Sequence, residues 1–427
     1  MDLLELSDKL WRGEIEVAGP PVPGEASGEG GVNPFVPRGE LVEVGAGTAF
    51  VSSFANVSVF DTDDGLVNVD SGAAFSAEEI HRMVREWSAS RLNTTIFSHG
   101  HIDHVSGMGP FETEARERGW PAPQVVAHEA VTARFDRYVL TAGYNGAINA
   151  RQFGVEVAWP TDYRYPDRTY REELELEIGR ERFELHHARG ETDDHTWTWV
   201  PGRRVLCTGD LIIWCLPNAG NPQKVQRYPR EWAAALREMA ELEAEVLLPG
   251  HGLPVVGADR VRAILADTAT LLEHLHDETV RLMNDGASLD QILHEVQAPS
   301  ALLEKPYLRP IYDDPEFVVR NVWRLYGGWW DLEPAALKPS AGTELAEEIA
   351  ALAGGVGALA SRARELASAG DLRLAGHLAE LAFRAAPDDD TVAEARAEVN
   401  EARQAAEPSL MAKAIFGAAA RESRERD

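Results

Sequence analysis

Between Phe97 and Val105 the chain reads Ser98-His99-Gly100-His101-Ile102-Asp103-His104. Imidazole nitrogens and carboxylate oxygens are the donors that hold divalent metals. A packed core or a solvated surface has no use for so many of them in so short a stretch. In an extended segment residues i and i+2 point the same way, so His99 and His101 can grip one ion together. Once the chain turns, Asp103 and His104 face a neighbouring ion. Three more donors follow at wide spacing, each flanked by glycine: Glu191 in Gly190-Glu191-Thr192-Asp193-Asp194-His195, Asp210 in Thr208-Gly209-Asp210, and His251 in Pro249-Gly250-His251-Gly252. Together these residues can hold two divalent ions, with a carboxylate bridging them to offset their repulsion. Solvent held between such ions loses a proton near neutral pH and becomes a nucleophile.

The elements that must position these donors are legible around them. Leu41 to Val44, Thr48 to Ser53, Val57 to Phe60 and Leu66 to Val69 are apolar or β-branched runs that read as strands, with Asp61-Thr62-Asp63-Asp64-Gly65 as a hairpin turn. Ile80, Met83, Val84 and Trp87 carry a helical period before the histidine strand. Further strands are read at Gln124 to Ala127, Leu174 to Ile178, Phe183 to His186, Thr196 to Val200, Val205 to Cys207 and Val246 to Leu248. Each donor therefore sits where an apolar run ends, and loops at strand ends of an α/β layer can converge on one point. Tyr144-Asn145-Gly146 reads as a turn, and Asp70 as either a turn residue or a support for the donors. From residue 258 the pattern is helical, and from 343 to 424 it is alanine-rich throughout.

Composition narrows the classes of function. The chain has 427 residues and a net charge of −29 from 41 Lys+Arg against 70 Asp+Glu, which repels phosphate backbones and excludes a nucleic-acid partner. Two cysteines, Cys207 and Cys215, exclude a disulfide scaffold and leave any metal to nitrogen and oxygen donors. No apolar run is long enough to span a membrane, and the N-terminus has no basic start or apolar run of a secretory signal. These features predict a cytoplasmic protein. Against this acidic background Lys224, Arg227 and Arg230 form a basic run that can receive an anionic small-molecule substrate. Asn218, Tyr144, Asn145 and Arg151 are further candidates for substrate contact, with Asn149 and Gln152 near them. His128, His186 and His187 lie near the same loops.

The His-x-His-x-Asp-His signature resembles that of the metallo-β-lactamase superfamily, and the chain as a whole resembles its alkylsulfatase branch. The resemblance implies an αββα sandwich followed by an all-α region. It assigns His99 and His101 to a first metal and Asp103 and His104 to a second, with Glu191 and His251 as further ligands and Asp210 as the bridge. A carboxylate at position 191 is similar to that branch, where most of the superfamily has a histidine; at position 210 the branch carries a glutamate. His195 matches a histidine behind the ligands and is the candidate, with Asp103 and Asp210, for a direct catalytic part such as protonating a leaving group. Asn321 to Asp331, with Gly327-Gly328-Trp329-Trp330-Asp331, is similar to the branch's dimerisation region. The implied organisation is an N-terminal arm over 1–40, a catalytic domain over 41–257 and a helical dimerisation region over 258–427. The implied function is a two-zinc hydrolase of alkyl sulfate esters that forms a homodimer. Rival readings are a lactone, thioester or β-lactam hydrolase on the same metals, and an iron-dependent oxygenase or reductase of the same fold.

Overall fold

Successive residues of the central strands point to opposite faces, and both faces are buried. The structure, a computed structural model, describes residues 1–19, 31–154, 156 and 158–425. Seven strands, from Glu40–Gly45 to Arg168–Tyr170, form one sheet in chain order, and six, from Glu173–Ile178 to Val255–Val256, form a second. Phe50, Phe60, Val67 and Val69 of the first sheet share a core with Phe183, Leu185, Trp197 and Leu206 of the second. Their neighbours Ala49, Val51, Val59 and Leu66 turn outward, onto Ile80, Met83 and Val84 of helix Ala77–Trp87 and Val131 and Phe135 of helix Ala130–Leu140. The period of two thus separates the inner face from the outer one. Helix Pro229–Glu241 adds Trp232, Leu236 and Met239 to the core, and the long helix Ala258–Asn284 packs beside it. The result is the expected αββα sandwich followed by helices.

Where the sheets are parallel, their carboxyl ends set the site. Gly65–Val69, Leu92–Ile96, Gln124–His128 and Arg168–Tyr170 run parallel, as do Val205–Gly209 and Val246–Pro249. Loops after such strand ends gather along one edge, and Asp70, His99, Asp210 and His251 all stand in them. Two glycines make this approach possible. A Cβ at Gly250 would lie 2.1 Å from Asp210 Oδ1, and one at Gly209 would lie 2.7 Å from both Ser98 and His195.

One local expectation is overturned. Tyr144-Asn145-Gly146 is no turn but the interior of helix Ala142–Phe153. Asn145 Nδ2 donates back to Thr141 O at 3.1 Å and to Thr141 Oγ1 at 2.8 Å, so its side chain ties the helix start instead of a loop.

The arm expected from Gly19 to Gly39 falls mostly at 20–30, outside the described residues. The helices Gly342–Ala353, Val356–Ser368, Leu372–Ala385 and Asp390–Ala406 build small cores of their own, with Ala350, Leu359, Ala360, Ala382, Val392 and Ala395 in one and Ala363, Leu366, Ala375, Ala379 and Val399 in another. Helix Leu410–Arg424 returns to the sandwich, where Leu410 and Met411 pack on Phe153, Tyr312 and Phe317. Among the described residues no helix is long and apolar enough to cross a membrane.

Candidate metal centre and its cavity

The seven donors come together in two groups. His99, His101, Glu191 and Asp210 present ligand atoms within 4.8 Å of one another, and so do Asp103, His104 and His251. Asp210 joins the groups: its Oδ1 lies 3.2 Å from His104 Nε2, and its Oδ2 lies 3.7 Å from His99 Nε2 and 3.5 Å from His251 Nε2. The local chain explains the split. His101 is extended, and the short helix Ile102–Val105 begins at once after it, turning Asp103 and His104 away from the first pair.

Three of the four histidines are oriented from behind, while His101 turns its Nδ1 to His99 Nε2 at 2.8 Å. His104 Nδ1 meets Asp70 Oδ2 at 2.8 Å, His251 Nδ1 donates to the Phe54 carbonyl at 2.5 Å, and His99 Nδ1 meets Ser98 Oγ at 2.9 Å. These contacts leave Nε2 of all three facing the centre, the arrangement that fixes a ligand tautomer. Asp70 is thus a support and not merely a turn residue. It is buried at φ 66° and accepts Ser98 N at 2.7 Å, Ser98 Oγ at 2.8 Å and His104 Nδ1. A non-glycine residue held there is strained, and the three hydrogen bonds offset it. Asp70→Ala is expected to cut metal affinity and turnover by roughly 10- to 100-fold. Metal titration checks this, and unchanged affinity would refute the role of Asp70.

Glu191 is held in the same way. Asn218 Nδ2 donates to its Oε1, Arg227 Nη1 donates to its backbone carbonyl at 2.6 Å, and Arg227 Nη2 lies 3.3 Å from its Oε1. Oε2 stays turned to His101 Nδ1 at 3.5 Å. Burial pushes Glu191 up to about 8, against the pull of Arg227. Burial also opposes charge on His251, yet Asp210 and Asp103 hold it at about 10. Asp194 closes the loop below: it accepts Gly100 N at 3.1 Å and Arg134 Nε at 2.5 Å. Arg134 was not singled out from sequence. Its signal was an arginine on the buried face that Val131, Phe135 and Tyr138 form on one helix.

The centre fits a cation by an observation of its own. Among the described residues His104 Nε2, Glu191 Oε2 and Asp210 Oδ1 are buried without hydrogen-bond partners, and buried polar atoms left so are rare. All three face the space between the donors. The donor set, nitrogen and oxygen only, suits zinc among other divalent ions.

A cavity of 1210 Å³ opens onto this centre. Asp103, Glu191, Asp210, His251, Arg134 and Arg227 line it, with Phe54, Phe75, Met108, Ile148, Phe153 and Leu410 as apolar wall. Of the expected substrate contacts, Tyr144, Asn145, Asn218, Lys224 and Arg227 line the cavity. Arg151 does not: its guanidinium turns outward to Glu422 at 3.4 Å. Arg230 does not either; it is exposed on the first turn of helix Pro229–Glu241. His195 is also corrected. It is wholly buried, stacks on His99 at 4.8 Å and faces the Thr208 carbonyl through Nε2 at 3.1 Å. It supports His99 and cannot reach a leaving group in the cavity. His128 and His187 stack on each other at 3.7 Å, away from the cavity lining.

Comparison with known proteins gives a consistent pattern. Residues 52–251 match the family model of the metallo-beta-lactamase superfamily, and residues 288–426 match that of alkyl sulfatase dimerisation. A linear primary-alkylsulfatase of Pseudomonas sp. (strain ATCC 19151) is 26% identical over 356 residues, covering 78% of this chain and 67% of its own. An (R)-specific secondary-alkylsulfatase of Pseudomonas sp. is 26% identical over 358 residues, covering 76% of this chain and 53% of its own. The chain thus spans two thirds of the first relative and about half of the second. Among solved structures, the stereoselective inverting sec-alkylsulfatase Pisa1 from Pseudomonas sp. superposes with a TM-score of 0.80 at 22% identity, covering 91% of this chain and 66% of that one. At that identity the likeness speaks for the fold.

Proposed function

We propose that this chain, which belongs to the alkylsulfatase branch of the metallo-β-lactamase superfamily, hydrolyses alkyl sulfate esters with two zinc ions. His99, His101 and Glu191 would hold one ion, Asp103, His104 and His251 the other, and Asp210 both. When bound, such ions acidify water into a nucleophile and stabilise developing negative charge. The observation that carries the reading is Glu191: a carboxylate stands in the first ligand group, fastened by Asn218 and Arg227 inside the wall of a large cavity.

The protein's own residues account for the rest. Among the described residues Arg227 Nε and Arg134 Nη1, in two arginines that line the cavity, are buried without hydrogen-bond partners. They are the donors a sulfate oxygen can take, and charge-assisted bonds of this kind are the strong ones. The apolar wall excludes water from the organic part of the ester. With attack at carbon the C–O bond breaks and sulfate, a weak base, leaves without a proton, so the buried place of His195 does not obstruct that route; attack at sulfur would expel an alkoxide, which takes its proton from solvent in the cavity.

The test is a hydrolysis panel on zinc-loaded protein: short and long, primary and secondary alkyl sulfates beside a lactone and a cephalosporin. Sulfate release from at least one alkyl sulfate, faster than turnover of the other classes, is expected. Turnover of the lactone or cephalosporin alone removes the sulfatase reading, and tightly bound iron with oxygen uptake removes the hydrolase reading altogether.

The reading includes a homodimer through the helical region. Leu345 and Leu352 are spaced by two helical turns yet 51% and 87% exposed, and Trp329 is 71% exposed. Apolar surface of this kind calls for a partner, and an isologous pair is the commonest one. Light scattering is expected to give the mass of two chains; a single-chain mass at micromolar concentration would remove the dimer.

A further inference from the structure

Part of the cavity wall is polar where a plain alkyl tail has no use for polarity. Asn145, Asn149 and Gln152 fall at i, i+4 and i+7 of helix Ala142–Phe153, so they share one face. They are 7%, 6% and 2% exposed, and all three line the cavity. Asn145 and Asn149 use their amide nitrogens on carbonyls one turn back, Asn149 Nδ2 reaching Asn145 O at 2.8 Å. Asn149 Oδ1 accepts Lys224 Nζ at 3.0 Å, and the Lys224 ammonium sits 5.7 Å from the centre of the Trp159 ring. Gln152 Oε1, one turn on from Asn149, is buried with no partner among the described residues. Burial and the neighbouring Arg227 pull Lys224 down to about 8, so it is a cation kept in the cavity wall at a cost. None of these groups has a part in holding the metals.

We propose that this patch recognises a hydroxyl on the organic part of the substrate, so that hydroxylated aliphatic sulfate monoesters are preferred over plain alkyl sulfates. The inference rests on the sulfate-ester reading above and adds the substrate's second polar group. The chemistry is selective. Lys224 has only donors to offer, and Gln152 Oε1 only accepts. A hydroxyl both accepts and donates, so it suits a wall that carries both kinds of partner. A carboxylate satisfies Lys224 but leaves Gln152 Oε1 unpaired. A methylene satisfies neither and strips both of water, the case in which a site built for a hydroxyl discriminates strongly against the analogue lacking it.

The test compares alkyl sulfates of equal chain length, plain, carboxylated or bearing one hydroxyl at successive carbons, on zinc-loaded wild type, Gln152→Leu and Lys224→Met. At least one hydroxyl position is expected to raise kcat/KM about tenfold over the plain ester, with the carboxylated esters below it. In both variants the ratio of hydroxylated to plain is expected to fall to near one. A plain ester turned over as fast as every hydroxylated one overturns the proposal and leaves the sulfatase reading standing. Calorimetric binding of matched alkyl sulfonates, which lack the scissile ester oxygen, reads the patch without turnover. Tighter binding of a hydroxylated sulfonate that Gln152→Leu abolishes supports the patch even if no ester is cleaved; equal binding of plain and hydroxylated sulfonates overturns it.

Discussion

Asp210→Ala is expected to lose at least one equivalent of bound metal and to reduce turnover by roughly a thousandfold or more, since metal-assisted attack depends on both ions being fixed. No other donor has the same reach. Asp210 places one oxygen 3.2 Å from His104 Nε2 and the other within 3.7 Å of both His99 and His251. Its removal leaves each group one ligand short and removes the anion that offsets repulsion between two dications. Neighbouring side chains cannot fill the gap, because Gly209 and Gly250 are pressed against it and have no side chains to offer. Metal content by mass spectrometry and turnover of the best alkyl sulfate decide the matter. Two metals and wild-type turnover in the variant would show that Asp210 is not the bridge.

Arg227→Met tests the other anchor and reads stability as well as activity. The Arg227–Glu191 pair is buried on both sides, at 1% and 2% exposure. Where both partners are charged, removing one of such a pair costs about 3–5 kcal/mol, because the other charge is left buried and uncompensated; since burial pushes Glu191 up to about 8, the melting comparison belongs above that, where its carboxylate is ionised. At about 2–4 °C per kcal/mol for a large domain, the melting temperature of the metal-free protein should fall by roughly 10 °C. Glu191 also loses the hydrogen bond to its backbone carbonyl, so its Oε2 is no longer aimed at His101 and metal affinity falls. The double variant Arg227→Met/Glu191→Gln separates the effects. With no carboxylate left to charge, it should regain much of the stability and none of the metal binding. A single variant that melts with the wild type would show that the pair is not the anchor of the loop.

These expectations rest on side chains whose importance the sequence displays unevenly. The donors at 99, 101, 103 and 104 are readable because metal chemistry restricts residue type and strand geometry restricts spacing. The more distant donors at 191, 210 and 251 are readable because each ends an apolar run beside a glycine. Asp70 stayed ambiguous for a physical reason: an aspartate before Ser71-Gly72 suits a turn equally well, and only its three hydrogen bonds to Ser98 and His104 settle its part. The basic run at 224–230 was read as one feature, yet the structure divides it. Arg227 goes to Glu191, Lys224 to Asn149 and Arg230 to the exterior. No helical or strand period governs a loop, so spacing there carries no direction.

The sequence by itself determined the kinds of donor and, through their apolar and β-branched runs, the strands that carry them. Tertiary structure alone decided the partners. Asp70 meets His104, Arg134 meets Asp194 and Arg227 meets Glu191 across 34, 60 and 36 positions of chain. Tertiary structure also decided that Asn145, Asn149 and Gln152 share one face of helix Ala142–Phe153 and line a cavity beside the metal donors, where the sequence offers a turn at Tyr144-Asn145-Gly146. Periodicity is a local property of the backbone and tells which residues share a face. What that face meets depends on contacts between segments far apart in the chain, and those exist only once the two sheets and their helices have packed.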